Sequence, residues 1–244
     1  MKIPLRTGIN LIVCGICLII EIFVMTVISR FRNSNPVYVQ GDNSIVVATD
    51  TCKNTVYCVA AKNNFKSIEE FGILLGEHFL TQYPSIVKSV NIEILQDIWE
   101  RLNGVDSFGQ PSPHNHAFQR VGPHKHFTHV TATQKFCPRS HRKLAPSFII
   151  RSGLRSFEIM KTAQSGFSNF HRDRFTSLGA TDDRLLGTSL TANWLYKSEV
   201  NAKGMDYNAA RDAVQTALVQ TFAGPADKGV FSPSVQQTLY LMVN

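Results

Sequence analysis

Phe167 and Arg184 bracket the polar half of one stretch, KTAQSGFSNFHRDRFTSLGATDDR, which runs from Lys161 to Arg184. A flat, electron-rich heterocycle can lie on a phenyl face. A guanidinium can give parallel N–H donors to an adjacent ring nitrogen and carbonyl oxygen. A second chemical opportunity sits at 232–236, S-P-S-V-Q. It reads as a helix start, with Ser232 as N-cap and Pro233 at the first helical position. The first turn then holds Val235 and Gln236. Free backbone N–H groups there favour an anion, and the Gln236 amide offers donor and acceptor together, the complement of a lactam edge. A third is the hydroxyl and carboxylate pair Thr49 and Asp50, delivered at the mouth of a helix, where Asp50 or Thr51 can also act simply as a cap. Taken singly, each has an ordinary structural reading: a buried Phe, a surface Arg, a helix start.

Composition narrows the function classes. A chain of 244 residues holds one large domain or two modest ones, and 43% apolar residues is ordinary for a globular protein. The net charge of +7 suits an anionic partner. Part of that excess, Lys135, Arg139, Arg142 and Lys143, lies in a Pro-punctuated run with no interleaved aromatic ladder. It reads as a solvated linker, and nucleic acid is not expected as a partner. Five cysteines, an odd number in so long a chain, argue for reduced thiols. His114, His116, His124, His126 and His129 form two H-x-H pairs that could meet zinc from one strand face. No Cys or carboxylate stands at ligand spacing nearby, so no metal is expected.

The elements that must position these residues follow from periodicity. Residues 9–29, INLIVCGICLIIEIFVMTVIS, read as an apolar helix long enough to cross a bilayer, interrupted only by Glu21. Val37–Gln40 and Ser44–Thr49 read as short strands about a Gly-Asp-Asn turn. A short helix, Lys53–Lys62, precedes a longer one that opens on a Ser67/Glu70 capping box. Ile68, Phe71, Leu75 and Phe79 form its apolar stripe, and Pro84 stops it. Val90, Ile92 and Ile94 alternate as a strand, with further strands starting at His116 and Phe127. After the linker, Phe148–Lys161 and Leu185–Lys197 read as strands, the second placing Leu190, Ala192, Trp194 and Tyr196 on one face. A helix runs from an Asp206 N-cap to Phe222 with Ala210, Val214, Ala217 and Leu218 inward, and stops at Gly224-Pro225.

Three of these segments together resemble the uricase (urate oxidase) family. They are A-T-D-x-x-K-N (Ala48, Thr49, Asp50, Lys53, Asn54), K-[ST]-x-x-S-x-F-x-x-F…D-R (Lys161, Thr162, Ser165, Phe167, Phe170, Asp183, Arg184), and S-x-S-V-Q-x-T-x-Y (Val235, Gln236, Thr238, Tyr240). The likeness covers about residues 37 to 244. It implies an α+β tunnelling fold of two tandem antiparallel ββααββ units, residues 36–145 and 146–244. An apolar segment at 1–35 stands where the family's first strand would be, and the last hairpin of the second unit is not found. It implies a homotetramer with sites shared between subunits and a cofactor-free oxidation of urate by dioxygen to 5-hydroxyisourate and hydrogen peroxide. Thr49 would be the catalytic hydroxyl. Thr49, Asp50, Phe167, Arg184, Val235 and Gln236 would bind substrate. The family is peroxisomal, although the chain carries no C-terminal targeting tripeptide. The alternative expectation is a catalytically impaired purine-binding homologue, membrane-associated through residues 9–29.

Overall fold

The longest apolar stripe in the sequence organises the first half of the fold. In the computed structural model, which describes residues 7–9, 19–27, 39–136, 143–196 and 202–243 (the first two by backbone alone), helix α2 spans Ile68–Gln82. Ser67 caps it, its Oγ accepting from Glu70 N at 3.2 Å, while the Glu70 carboxylate accepts from Lys66 N at 2.7 Å. Ile68, Phe71, Leu75 and Phe79 are buried as the spacing predicts. Each contributes about 1.5–3 kcal/mol relative to exposure. Gly72 and Gly76 bring the helix against the sheet, because Cβ atoms there would meet Val130 Cγ2 at 2.6 Å and Ala132 Cβ at 2.7 Å.

That sheet has strands β1 (Thr7–Ile9), β2 (Ile19–Val27), β3 (Ser89–Val105), β4 (Pro111–Thr133), β5 (Ser147–Lys161) and β6 (Leu186–Tyr196) in sequence order. Pairings from β1 through β5 are antiparallel. Val90, Ile92, Ile94, Val130 and Ala132 are fully buried beneath α2. Glu69, buried among them, accepts a 2.6 Å hydrogen bond from the Ser152 hydroxyl, which lies 3.0 Å from Thr128 Oγ1. The buried Glu69 side chain is thus provided with a hydroxyl partner. Gly153 is opposite Phe127, whose ring fills the space that a Cβ would need. The Arg155 guanidinium lies 4.4 Å from the centroid of that ring and pairs with Glu93 at 2.8 Å.

Several expectations are corrected. Residues 9–29 were expected as an apolar helix; residues 19–27 form β2 instead, with Ile22 opposite Ile94 and Val24 opposite Ile92. An unbroken apolar run is the pattern of a buried strand as well as of a buried helix, and IIEIFVMTV is rich in β-branched and aromatic residues. Residue 9 belongs to β1, and residues 10–18 and 28–29 lie outside the described residues. Among the described residues no helix is long and apolar enough to cross a membrane. Residues 39–48 hold no strand: Asp42 Oδ1 accepts from Ser44 N at 2.9 Å, so the turn forms, but β2 already occupies the edge of β3. Helix α1 therefore begins early, spanning Thr49–Lys62 with Ala48 at its N-cap and no side-chain cap. It carries buried Cys52 and exposed Cys58. The strands expected at His116 and Phe127 are one continuous β4, with its register to β3 shifting between Asp97 and Trp99 and between Arg101 and Asn103.

Helix α3 (Tyr207–Ala223) begins where expected, Asp206 Oδ1 accepting from Ala209 N at 3.0 Å. Tyr207, Leu218 and Phe222 are its buried residues, while Ala217 faces out. Gly224 ends it at φ +76, the left-handed conformation that glycine adopts without a Cβ clash. Helix α4 spans Val235–Val243. The chain packs as two compact units, Met1–Arg155 with Thr191–Met205, and Ser156–Leu190 with Asp206–Asn244. The packing groups divide within β5 and within β6.

Candidate functional site

The second unit is held together around one ammonium. Lys161, last residue of β5, donates to Phe222 O at 3.1 Å, Val230 O at 2.8 Å and Ser232 Oγ at 2.7 Å. These use all three of its donors. Burial pushes its pKa below the ordinary lysine value. The contacts fasten the C-terminal end of α3 and the strand-like 230–232 segment to the end of β5.

Backbone pairing then sets two motifs side by side. Ser165 and Ser232 form a parallel bridge, with Ser232 N donating to Gln164 O and Gly166 N to Ser232 O, both at 2.9 Å. Ser232 is consequently not the cap of α4, contrary to expectation: its hydroxyl is engaged by Lys161 and its backbone by the 164–166 segment. Ser234 takes that role, its Oγ accepting from Gln237 N at 3.1 Å and its carbonyl from Thr238 N at 3.2 Å. Val235 and Gln236 still occupy the exposed first turn.

A second bridge brings in the arginine. Phe167 N donates to Thr181 O at 2.7 Å, and Thr181 N returns a bond to Phe167 O at 3.1 Å. Gly166 permits this convergence, since a Cβ there would meet Phe231 Cζ at 2.9 Å and Thr181 O at 3.1 Å. Asp183 Oδ1 accepts from Gln164 N at 3.0 Å, and the Gln164 amide donates to Lys228 O at 2.7 Å. Arg184, the next residue, places its guanidinium carbon 5.1 Å from the Phe167 ring centroid. Its Nε is buried without a hydrogen-bond partner in the described structure. The Phe167 ring is stacked on Phe170, with centroids 4.7 Å apart and planes 8° from parallel.

Phe167, Arg184, Val235 and Gln236 are thus assembled within one unit by Lys161, the Ser165–Ser232 bridge and the Phe167–Thr181 bridge. Thr49 and Asp50 belong to the other unit. Thr49 is the exposed first residue of α1. Asp50 forms an ion pair with Lys53 at 2.9 Å and accepts from Asn54 Nδ2 at 2.9 Å. The Asp, Lys and Asn of A-T-D-x-x-K-N therefore meet one another on the first turns of the helix. The Lys53 hydrogen bond and charge hold the Asp50 carboxyl below its ordinary pKa. Among the described residues no group of three or more His, Cys, Asp or Glu converges as a metal site. The H-x-H pairs lie along β4, with His124 and His126 rings 5.6 Å apart.

The family model for uricase matches residues 20–131 and 150–244, which include all three motif segments. The chain belongs to the uricase family. It is 40% identical to the uricase of Danio rerio over 205 residues, covering 83% of this chain and 61% of that protein. It is 40% identical to the uricase of Dictyostelium discoideum over 220 residues, covering 90% of this chain and 68% of that one. The crystal structure of the Arthrobacter globiformis uricase superposes with a TM-score of 0.74 at 25% identity, covering 99% of this chain and 75% of that one. The α+β tunnelling fold expected from the motifs is the fold of these uricase structures. The chain spans about three fifths of the length of the Danio rerio relative. Two features of the site were not read from the sequence. Lys161 appeared there only as a motif letter, and Arg172, whose guanidinium lies 4.9 Å from the Phe170 ring centroid, was not singled out at all. An Arg two residues beyond an aromatic motif position was the available signal.

Proposed function

We propose that this chain is a urate oxidase, converting urate, dioxygen and water to 5-hydroxyisourate and hydrogen peroxide without a cofactor. The observation that carries the reading is the Arg184 guanidinium over the Phe167 ring, with its Nε–H buried and unpartnered among the described residues. Desolvating such a donor is costly unless an acceptor arrives, and a planar anion stacked on Phe167 brings one in the plane of the guanidinium. The exposed first turn of α4 adds the Val235 backbone N–H and the Gln236 amide, which suit the carbonyl and N–H edge of a purine. Holding the anion flat against fixed donors also fixes the ring carbon that reacts with dioxygen.

Thr49 would serve as the hydroxyl of a proton relay, with Asp50 beside it, contributed by a neighbouring subunit of a homotetramer. A peroxisomal location accords with the family. Oxygen uptake and peroxide release by the purified chain given urate test the activity, with Arg184→Ala as the control. Neither binding nor turnover of urate by the unaltered chain would overturn the reading.

A further inference from the structure

We propose that Arg172, acting through Phe170, is a positioning residue that fixes the plane of the Phe167 ring on which the purine stacks; this rests on the urate reading above. Phe170 lies nearly parallel to Phe167 and so occupies one face of that ring, while the Arg184 guanidinium lies over the ring 5.1 Å from its centroid, where it can meet the edge of a flat ligand stacked there. The Arg172 guanidinium lies over Phe170, 4.9 Å from its centroid. Arg172 is itself tied down, donating from Nη2 to Leu178 O at 2.7 Å.

The intervening turn is closed on itself. Asp173 Oδ1 accepts from Phe175 N at 2.9 Å and from Thr176 Oγ1 at 3.1 Å, and Asp173 N donates to Thr176 Oγ1 at 2.9 Å. The ladder therefore ends on an ordered loop. Its other local requirement is Asn169, whose φ of +57 turns the chain so that rings three residues apart can stack. Asn tolerates this left-handed conformation better than most residues.

The plane of Phe167 matters for more than stacking. A ligand lying on the ring takes its tilt, and the in-plane donors from Arg184, Val235 and Gln236 meet its edge only at one tilt. A ring free to rock would weaken the stack and misalign the hydrogen bonds together. Arg172 touches no ligand in this scheme; its effect passes through two rings.

The test uses the full chain with 4-fluorophenylalanine incorporated, the Phe167 resonance assigned by Phe167→Leu, and urate affinity measured by calorimetry. Arg172→Ala is expected to move the Phe167 fluorine resonance in the ligand-free protein and to raise the urate Kd about two- to fivefold. Arg172→Lys keeps a cation over the ring and should restore most of both effects. Phe170→Leu, which removes the stacked ring, is expected to weaken urate by up to roughly tenfold. Unchanged affinity in Arg172→Ala overturns the inference. So does lowered affinity with an unmoved Phe167 resonance, because Arg172 would then act on the anion by charge alone. Failure of the unaltered chain to bind urate would overturn the urate reading itself, and this inference with it.

Discussion

The Lys161 ammonium donates to the Ser232 hydroxyl across 2.7 Å, joining residues 71 positions apart in the sequence. That bond, with those to Phe222 O and Val230 O, is what brings the S-P-S-V-Q segment to the end of β5.

Lys161→Met keeps the length of the side chain and removes its donors. It should destabilise the protein by about 2 kcal/mol or more, since one charged donor leaves three acceptors behind. It should also weaken urate binding, because the α4 first turn loses its anchor. Denaturant unfolding and calorimetric titration measure the two effects; unchanged stability would show that the three contacts contribute nothing net.

Arg184→Ala should abolish measurable urate binding, and Arg184→Lys should recover little of it. Lysine cannot present two parallel donors, and losing a charge-assisted pair costs on the order of 1.5–3 kcal/mol. Calorimetry with urate decides this, and wild-type affinity in the Lys variant would reject the bidentate role.

Thr49→Ala should leave the melting temperature within about 2 °C of the unaltered chain, because the residue is exposed and Ala is the better helix former. Turnover of urate should fall far more than its affinity, as expected for a group that handles protons in the reaction. An equal loss in both would instead make Thr49 a binding contact.

Acid should loosen the first unit through its histidines. Burial, with the Lys62 charge adding to it, holds His78 below its ordinary value of 6.5, and burial does the same for His124. Their unfolded forms bind protons more readily than their folded forms, so stability is full above pH 6.5 and falls as the pH drops through that value toward the lowered folded pKa. Urea unfolding across that window should show the slope, and His78→Gln with His124→Gln should flatten it.

Replacing Gly153 by Ala should be severe for a single methyl group. The added carbon would overlap the Ala192 carbonyl oxygen and the Phe127 ring, the former belonging to a neighbouring strand that cannot yield cheaply. Overpacking of this kind costs about 1–3 kcal/mol. Thermal unfolding measures the loss, and a neutral substitution would show that β6 gives way.

What was legible in the sequence is what local chemistry decides. The Ser67 cap and the Ile68–Phe71–Leu75–Phe79 stripe of α2, the Asp206 cap of α3, and the alternation along β6 all stand as read, because each depends on neighbours within a few residues. The strand at Ile19–Val27 was not legible, since its partner β3 lies far along the chain and its own pattern suits either a helix or a strand. Ser232 reads as the cap of α4 on paper; Ser234 takes the role because Lys161 engages the Ser232 hydroxyl. The motif letters nominated Phe167, Arg184, Val235 and Gln236 as candidates, but not the bridges that gather them within one unit. Arg172 escaped because its relation to Phe170 depends on the tilt of a ring.

Cys52 turns α1 into a chemical clock. Its thiol is shut into the core and burial raises its pKa, while Cys58, farther along the same helix, stands in solvent. In a pulse of alkylating reagent, Cys58 should be modified at the intrinsic rate and Cys52 only during excursions that open the helix. The ratio of the two rates, read peptide by peptide in a mass spectrometer, gives the opening equilibrium of α1 in the intact protein without a denaturant. Applied in the presence of urate, the same ratio would report whether a ligand quiets the helix on which Thr49 sits.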